Sequence, residues 1–145
     1  MVYFPDNYFE KEIRNGFEVS SMMKRAWAGQ IEVLSVIREI CERHNILWFA
    51  DYGTLLGAVR HKGFIPWDDD MDIGMTRDNL NNFIKYAKDE LPDEYKLLCM
   101  DLEPQYDSLI VRVVNSTSVS MDKERLYKFH GCPYVLGIDL SLIHI

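Results

Sequence analysis

Two aspartates, Asp70 and Asp72, are separated by a single residue in Trp67-Asp68-Asp69-Asp70-Met71-Asp72-Ile73-Gly74-Met75, a stretch whose second half alternates polar and apolar. Alternation of that period belongs to a half-buried strand, so the spacing predicts that both carboxylates share one face while Met71 and Ile73 enter a core. Like charges held so close raise one another's pKa and oppose folding, and a divalent cation or a shared proton best accounts for the pair. The oxygen-only donor set favours Mg²⁺ or Mn²⁺ over zinc. An exposed acidic turn after Trp67 competes on equal terms, because charge runs are usually solvated. A calcium loop fits less well. Asp68, Asp70 and Asp72 match positions 1, 3 and 5 of that pattern, but Ile73 stands where the loop needs glycine and Asn79 where it needs a bidentate glutamate.

The stretches around the acids are read by period and punctuation. Met22, Met23, Ala26, Val33, Leu34, Ile37, Ile40 and Cys41 recur at helical spacing, with Ser20 or Ser21 available as cap and Asn45 at the end, which predicts a long amphipathic helix. Ile46 to Ala50 reads as a short buried strand ending at Asp51-Tyr52-Gly53, and Thr54 as the cap of a short helix over Leu55 to Val59. Thr76-Arg77-Asp78 opens a helix with Leu80, Phe83, Ile84, Ala87 and Leu91 on its inner stripe, and Pro92 stops it. Tyr95 to Met100, Ser108 to Val114 and Tyr134 to Asp139 are strand candidates. Residues 1–17 are weakly patterned and read as an N-terminal extension. Alternation of helix and strand implies an α+β fold with a small mixed sheet flanked by helices.

Composition narrows the function. Hydrophobic residues are 48% and charged residues 27% of the 145, which suits a globular domain and not a disordered chain. A net charge of −7 with no Lys/Arg stripe argues against nucleic acid as a partner. No apolar run is long enough to span a bilayer, leaving only peripheral membrane contact open. Cys41, Cys99 and Cys132 are odd in number and widely spaced, so a disulfide framework or zinc ribbon is not expected and a reducing cytoplasm is.

Upstream of the acids, Gly53-Thr54 stands where a strand ends and a helix begins. Backbone N–H groups of a helix N-terminus beside a small hydroxyl form a phosphate seat. Paired with a following strand that carries the two acids, the turn would set that seat beside a metal site. A further acid, Asp139, ends the apolar run Tyr134 to Ile138. An adjacent strand would bring it to the same place.

Gly53-Thr54-Leu55-Leu56-Gly57-Ala58-Val59-Arg60-His61, followed by Gly63-Phe64-Ile65-Pro66-Trp67-Asp68-Asp69-Asp70-Met71-Asp72-Ile73, resembles the signature of the LicD family, the phosphotransferases related to fukutin. The resemblance extends over roughly residues 20 to 139 and implies the nucleotidyltransferase fold in a C-terminally truncated form. Residues 18–139 would form the partial domain. The family's third acid, matched by Asp139, is normally followed by Ile/Val-Phe-Pro and by about as much chain again. Here the sequence reads Leu140-Ser141-Leu142-Ile143-His144-Ile145, which a transposon-end adapter used in library preparation would encode. Residues 140–145 are therefore expected to be a non-native tail.

The resemblance implies Mg²⁺- or Mn²⁺-dependent transfer of a substituted phosphate from a CDP-activated donor, CDP-choline or a CDP-polyol such as CDP-ribitol, to a hydroxyl of a cell-surface glycan or glycolipid. Asp70 and Asp72 would bridge the metals. Asp139 would hold the metal nearer the acceptor hydroxyl and take its proton, with Asp68 as an additional ligand. Gly53 and Thr54 would seat phosphate, and Arg60 and Arg112 are the candidates for gripping the nucleotide's phosphates. Two other readings stay open: nucleotidyl transfer to a small hydroxylated molecule, and an inactive fragment that retains metal binding alone.

Overall fold

The computed structural model describes residues 1–143; His144 and Ile145, the end of the expected tail, lie outside the described residues. A short 3-10 helix, Asp6–Phe9, leads into a hairpin of β1, Glu12–Arg14, and β2, Phe17–Val19. Helix α1, Ser21–Arg43, follows, then β3, Phe49–Ala50, and α2, Tyr52–Arg60. Next come β4, Asp72–Thr76, and α3, Arg77–Glu90. The chain continues through β5, Lys96–Leu98, β6, Val111–Val114, α4, Lys123–Lys128, and β7, Gly137–Ile143. The second sheet has the order β3-β4-β7-β6-β5; β4 and β7 are parallel and the other pairs antiparallel. The fold is thus a mixed α+β domain whose five-stranded mixed sheet is flanked by helices.

Helix α1 forms where the apolar spacing places it. Ser20 caps it by accepting from the Met23 N–H at 3.1 Å, and Asn45, with φ 54°, ends it in the left-handed region. Its stripe of Val33, Ile37, Ile40 and Cys41 packs with Leu80, Phe83 and Ala87 of α3 onto one face of the sheet. That face carries Ile73 and Met75 of β4, Ile138 and Leu140 of β7, and Val111 and Val113 of β6, all buried. Strand periodicity then sends the intervening residues Asp72, Asp139, Ser141 and Arg112 to the opposite face.

Several expectations change. The run Ile46 to Ala50 is not a buried strand: only two of its residues pair, at the sheet edge, and Leu47 is 76% exposed. Thr54 does not cap α2; Asp51 does, its Oδ1 accepting from the Tyr52 N–H at 2.9 Å. Regular strand begins at Asp72, so Asp70 stands just before β4 instead of within it. Strand β7 starts at Gly137 and runs through Leu140 to Ile143, whose partners are Ile73 to Thr76 of β4. The N-terminal segment is folded onto α1, with the Val2 N–H donating to Glu32 Oε1 at 2.7 Å. Its hairpin turns at Asn15 and Gly16, both at positive φ, a turn signal that the weak hydropathy pattern hides.

Candidate active site

The first residue of β4 is tied to the start of α2 from both sides. The Asp72 N–H donates to Thr54 Oγ1 at 2.8 Å, and the Asp72 carbonyl accepts from the Asp51 N–H at 3.1 Å. Thr54 therefore serves as a clasp between helix and strand. Between them Tyr52 holds φ 41°, a left-handed conformation that a bulky residue adopts only where its surroundings impose it. An α-helix cannot satisfy its first N–H groups internally; Asp51 takes that of Tyr52, and Gly53 and Thr54 follow it in the same first turn.

Around this clasp the acids converge. Asp72 of β4 stands in parallel register with Asp139 of β7, whose N–H donates to the Met71 carbonyl at 3.1 Å. Burial, followed by the charges of Asp70, Asp139, Asp68 and Asp51, pushes the Asp72 carboxyl up to about 6. Burial also raises Asp68, helped by a hydrogen bond and charge from Asp70 and by the charge of Asp69. Asp68, Asp69 and Asp70 each turn a carboxylate oxygen into one cluster whose oxygens lie within 4.8 Å of one another. Gly53 leaves the room for it: a Cβ there would stand 2.5 Å from Asp68 Oδ2. Asp51 joins the rim, its Oδ2 accepting from the Ser141 hydroxyl at 2.7 Å.

The two candidate phosphate-binding arginines part ways. Arg112, in register with Asp139 across β6 and β7, forms a two-pronged ion pair with it through Nε and Nη2. Its guanidinium is thereby engaged by a carboxylate of the site. Arg60 is exposed at the far end of α2, about 12 Å along the axis from Tyr52, with its Nε directed to His61 Nδ1 at 3.3 Å. Its hydrogen bond is to a neighbour in the chain and not to the acids.

One opening of about 150 Å³, lined by Gly53, Thr54, Asp68 and Asp70 among others, joins the α2 turn to the acids, and two others flank them. A groove of about 530 Å³ is lined by Tyr52, Asp72, Arg77, Ile110, Asp139 and Ser141 among others, and a smaller one of about 170 Å³ by Gln30, Asp69, Asp70, Arg112 and Asp139. In the second, Gln30 Oε1 is a buried acceptor without a hydrogen-bond partner. An oxygen-only set of mutually repelling carboxylates with a spare carbonyl oxygen beside it fits Mg²⁺ or Mn²⁺. Asp51, Asp69 and Gln30 were not legible as site residues; Asp51 alone carried a signal, a capping residue directly before a helix that opens Tyr-Gly-Thr.

Sequence comparison agrees with this geometry. The LicD/FKTN/FKRP nucleotidyltransferase domain matches residues 45–131. That range holds the α2 turn, the acid loop, β4 and Arg112, and stops short of Asp139. A lipopolysaccharide cholinephosphotransferase LicD from Haemophilus influenzae is 37% identical over 84 residues, covering 57% of this chain and 32% of the relative. An uncharacterised protein from Rickettsia typhi is 42% identical over 52 residues, covering 36% of this chain and 17% of the relative. The human ribitol 5-phosphate transferase FKRP is 37% identical over 43 residues, covering 30% of this chain and 9% of the relative. These matches span a third or less of the curated relatives' length. On the match to residues 45–131, the chain belongs to the LicD/FKTN/FKRP nucleotidyltransferase-domain family.

Proposed function

We propose that the chain carries the donor-side centre of a divalent-cation-dependent transferase that moves a substituted phosphate, phosphocholine or a polyol phosphate, from a CDP-activated donor to a hydroxyl of a glycan or glycolipid. The observation that carries this reading is the meeting of the α2 N-terminus with the carboxylates of Asp68, Asp70, Asp72 and Asp139 at one end of β4 and β7. The family relationship supports phosphate-group transfer as the reaction class.

Asp70, Asp72 and Asp139 would hold Mg²⁺ or Mn²⁺, with Asp68 as a further ligand. The cation would neutralise the donor's phosphates and the charge developing on the transferred group. The chain's own groups do the rest. The first-turn N–H groups of Gly53 and Thr54 would bind phosphate oxygens, and the Thr54 clasp keeps helix and strand from separating as they do so. Arg112 orients the Asp139 carboxylate through two hydrogen bonds and offsets its charge, while lining the smaller opening beside Asp69 and Asp70. The larger groove, with Asp72 and Asp139 on its wall, is the place for the acceptor hydroxyl, where Asp139 would take its proton. Three buried free thiols, Cys41, Cys99 and Cys132, favour a reducing, cytoplasmic compartment. Among the described residues no helix is long and apolar enough to cross a membrane.

The test is incubation of the chain with Mg²⁺, CDP-choline or CDP-ribitol and a glycan acceptor, with and without EDTA. Cation-dependent appearance of the phosphate-linked head group on the acceptor supports the reading. Appearance of the nucleotide half there instead would make the chain a nucleotidyltransferase.

A further inference from the structure

The acid loop, residues 67–71, contains no regular strand, yet a centre for a small cation needs oxygens fixed to within a few tenths of an ångström. What fixes it comes from α1. The Trp27 indole Nε1–H donates to the Asp68 carbonyl at 2.8 Å, and the Gln30 Nε2–H donates to the Asp69 carbonyl at 2.6 Å. Residues three apart on a helix share a face, so two successive carbonyls of the loop are held by one rigid edge. Neither donor has latitude. Trp27 is 1% exposed, stacked on Phe64 at 4.8 Å with the Arg14 guanidinium 5.7 Å from its ring centroid, and Gln30 is 4% exposed.

We propose that Trp27 and Gln30 are positioning residues for the candidate centre: by pinning the backbone of Asp68 and Asp69 they aim the Asp68, Asp69 and Asp70 carboxylates at one point. A loop left to itself would splay three adjacent like charges apart, and the two N–H donors oppose that at its backbone. Gln30 contributes twice. Its Oε1, buried and without a hydrogen-bond partner, belongs to a residue lining the same opening as Asp69, Asp70 and Asp139. Both residues lie outside the region that matches the family, residues 45–131. The inference rests on the divalent-cation reading of the acids.

The experiment measures Mn²⁺ dissociation constants by titration calorimetry, with melting curves in EDTA, for the whole chain and its variants. Trp27→Phe keeps an aromatic ring against Phe64 and removes the N–H together with part of the indole, a loss of buried volume for which Ile37→Val is the control; Gln30→Met keeps the length and removes both polar atoms. Each is expected to weaken Mn²⁺ binding about tenfold, the scale seen when a partner behind a metal ligand is lost. Ile37→Val, buried on the same helix away from the loop, is expected to lower the melting temperature without changing the constant. Equal Mn²⁺ affinity in wild type and both variants, or an equal loss in Ile37→Val, overturns the inference while leaving the cation reading intact. A wild-type chain that binds no Mn²⁺ overturns both.

Discussion

Replacing Gly53 by alanine separates the stability of this fold from its chemistry. Gly53 occupies the first turn of α2 without a left-handed φ, so alanine can adopt its backbone conformation. Helix propensity then favours the variant by up to about 0.5–1 kcal/mol, less in a first turn than in a helix interior. The new Cβ, however, would stand 2.5 Å from Asp68 Oδ2, where ordinary contact starts near 3.4 Å. The carboxylate must therefore retreat by roughly 0.9 Å. That is cheap for the fold, since the atom that moves is the end of a side chain. It is costly for a metal site, whose ligand distances hold to about 0.2 Å. The expected outcome is a melting temperature in EDTA equal to wild type or up to about 3 °C higher, with Mn²⁺ binding weakened about tenfold, or about 1.4 kcal/mol. Differential scanning fluorimetry and calorimetry on one preparation read both. Unchanged Mn²⁺ affinity would refute the role given to Asp68 beside Gly53, and a large fall in melting temperature would refute the claim that its carboxylate is free to move.

Other perturbations test other parts of the account. Asp72 sits near 6 in the folded chain against an ordinary 3.8, so its stabilising contribution is present below about pH 4 and lost as pH rises through 6. Discounted for solvent screening at this partly exposed group, the cost at pH 8 is about 1 kcal/mol. Asp72→Asn is therefore expected to melt about 3 °C above wild type at pH 8 in EDTA, to match it near pH 4, and to gain nothing from Mg²⁺. A variant that melts lower at pH 8 would contradict this. Arg112→Lys loses the two-pronged grip on Asp139 and is expected to reduce transfer about tenfold with little change in stability, read by kcat and a melting curve. Glu32→Ala strands the half-buried His130 ring and the Val2 N–H, at a cost of about 2 kcal/mol by urea titration, and unfastens the N-terminal segment.

What the sequence disclosed followed the reach of each signal. Helices α1 and α3 were legible because their stripes are local and repeat over many residues, and their caps and stops are explicit. The acids at positions 68, 70, 72 and 139 were legible as residues, yet their convergence depends on β4 lying beside β7 in one register, which local pattern does not encode. The same holds for Arg112. Only the β6–β7 register puts it opposite Asp139, so its ion pair was invisible until the sheet was in place. Leu47 misled because an apolar side chain in an exposed segment leading to a strand reads like one in a core. Trp27 and Gln30 were hidden differently: their stripe position reads as packing, and the bonds they make reach the acid loop across about forty residues of chain.

The proposed transfer depends on a divalent cation held where Asp70, Asp72 and Asp139 meet the α2 turn. Mn²⁺ added in small amounts to the isotope-labelled chain tests it most directly, since its unpaired electrons broaden only nearby NMR signals. Loss of the amide signals of residues 53–54, 68–72 and 139 first, and their survival in Asp70→Asn, is the predicted result. Broadening centred elsewhere, or spread evenly over the acidic surface, would contradict it.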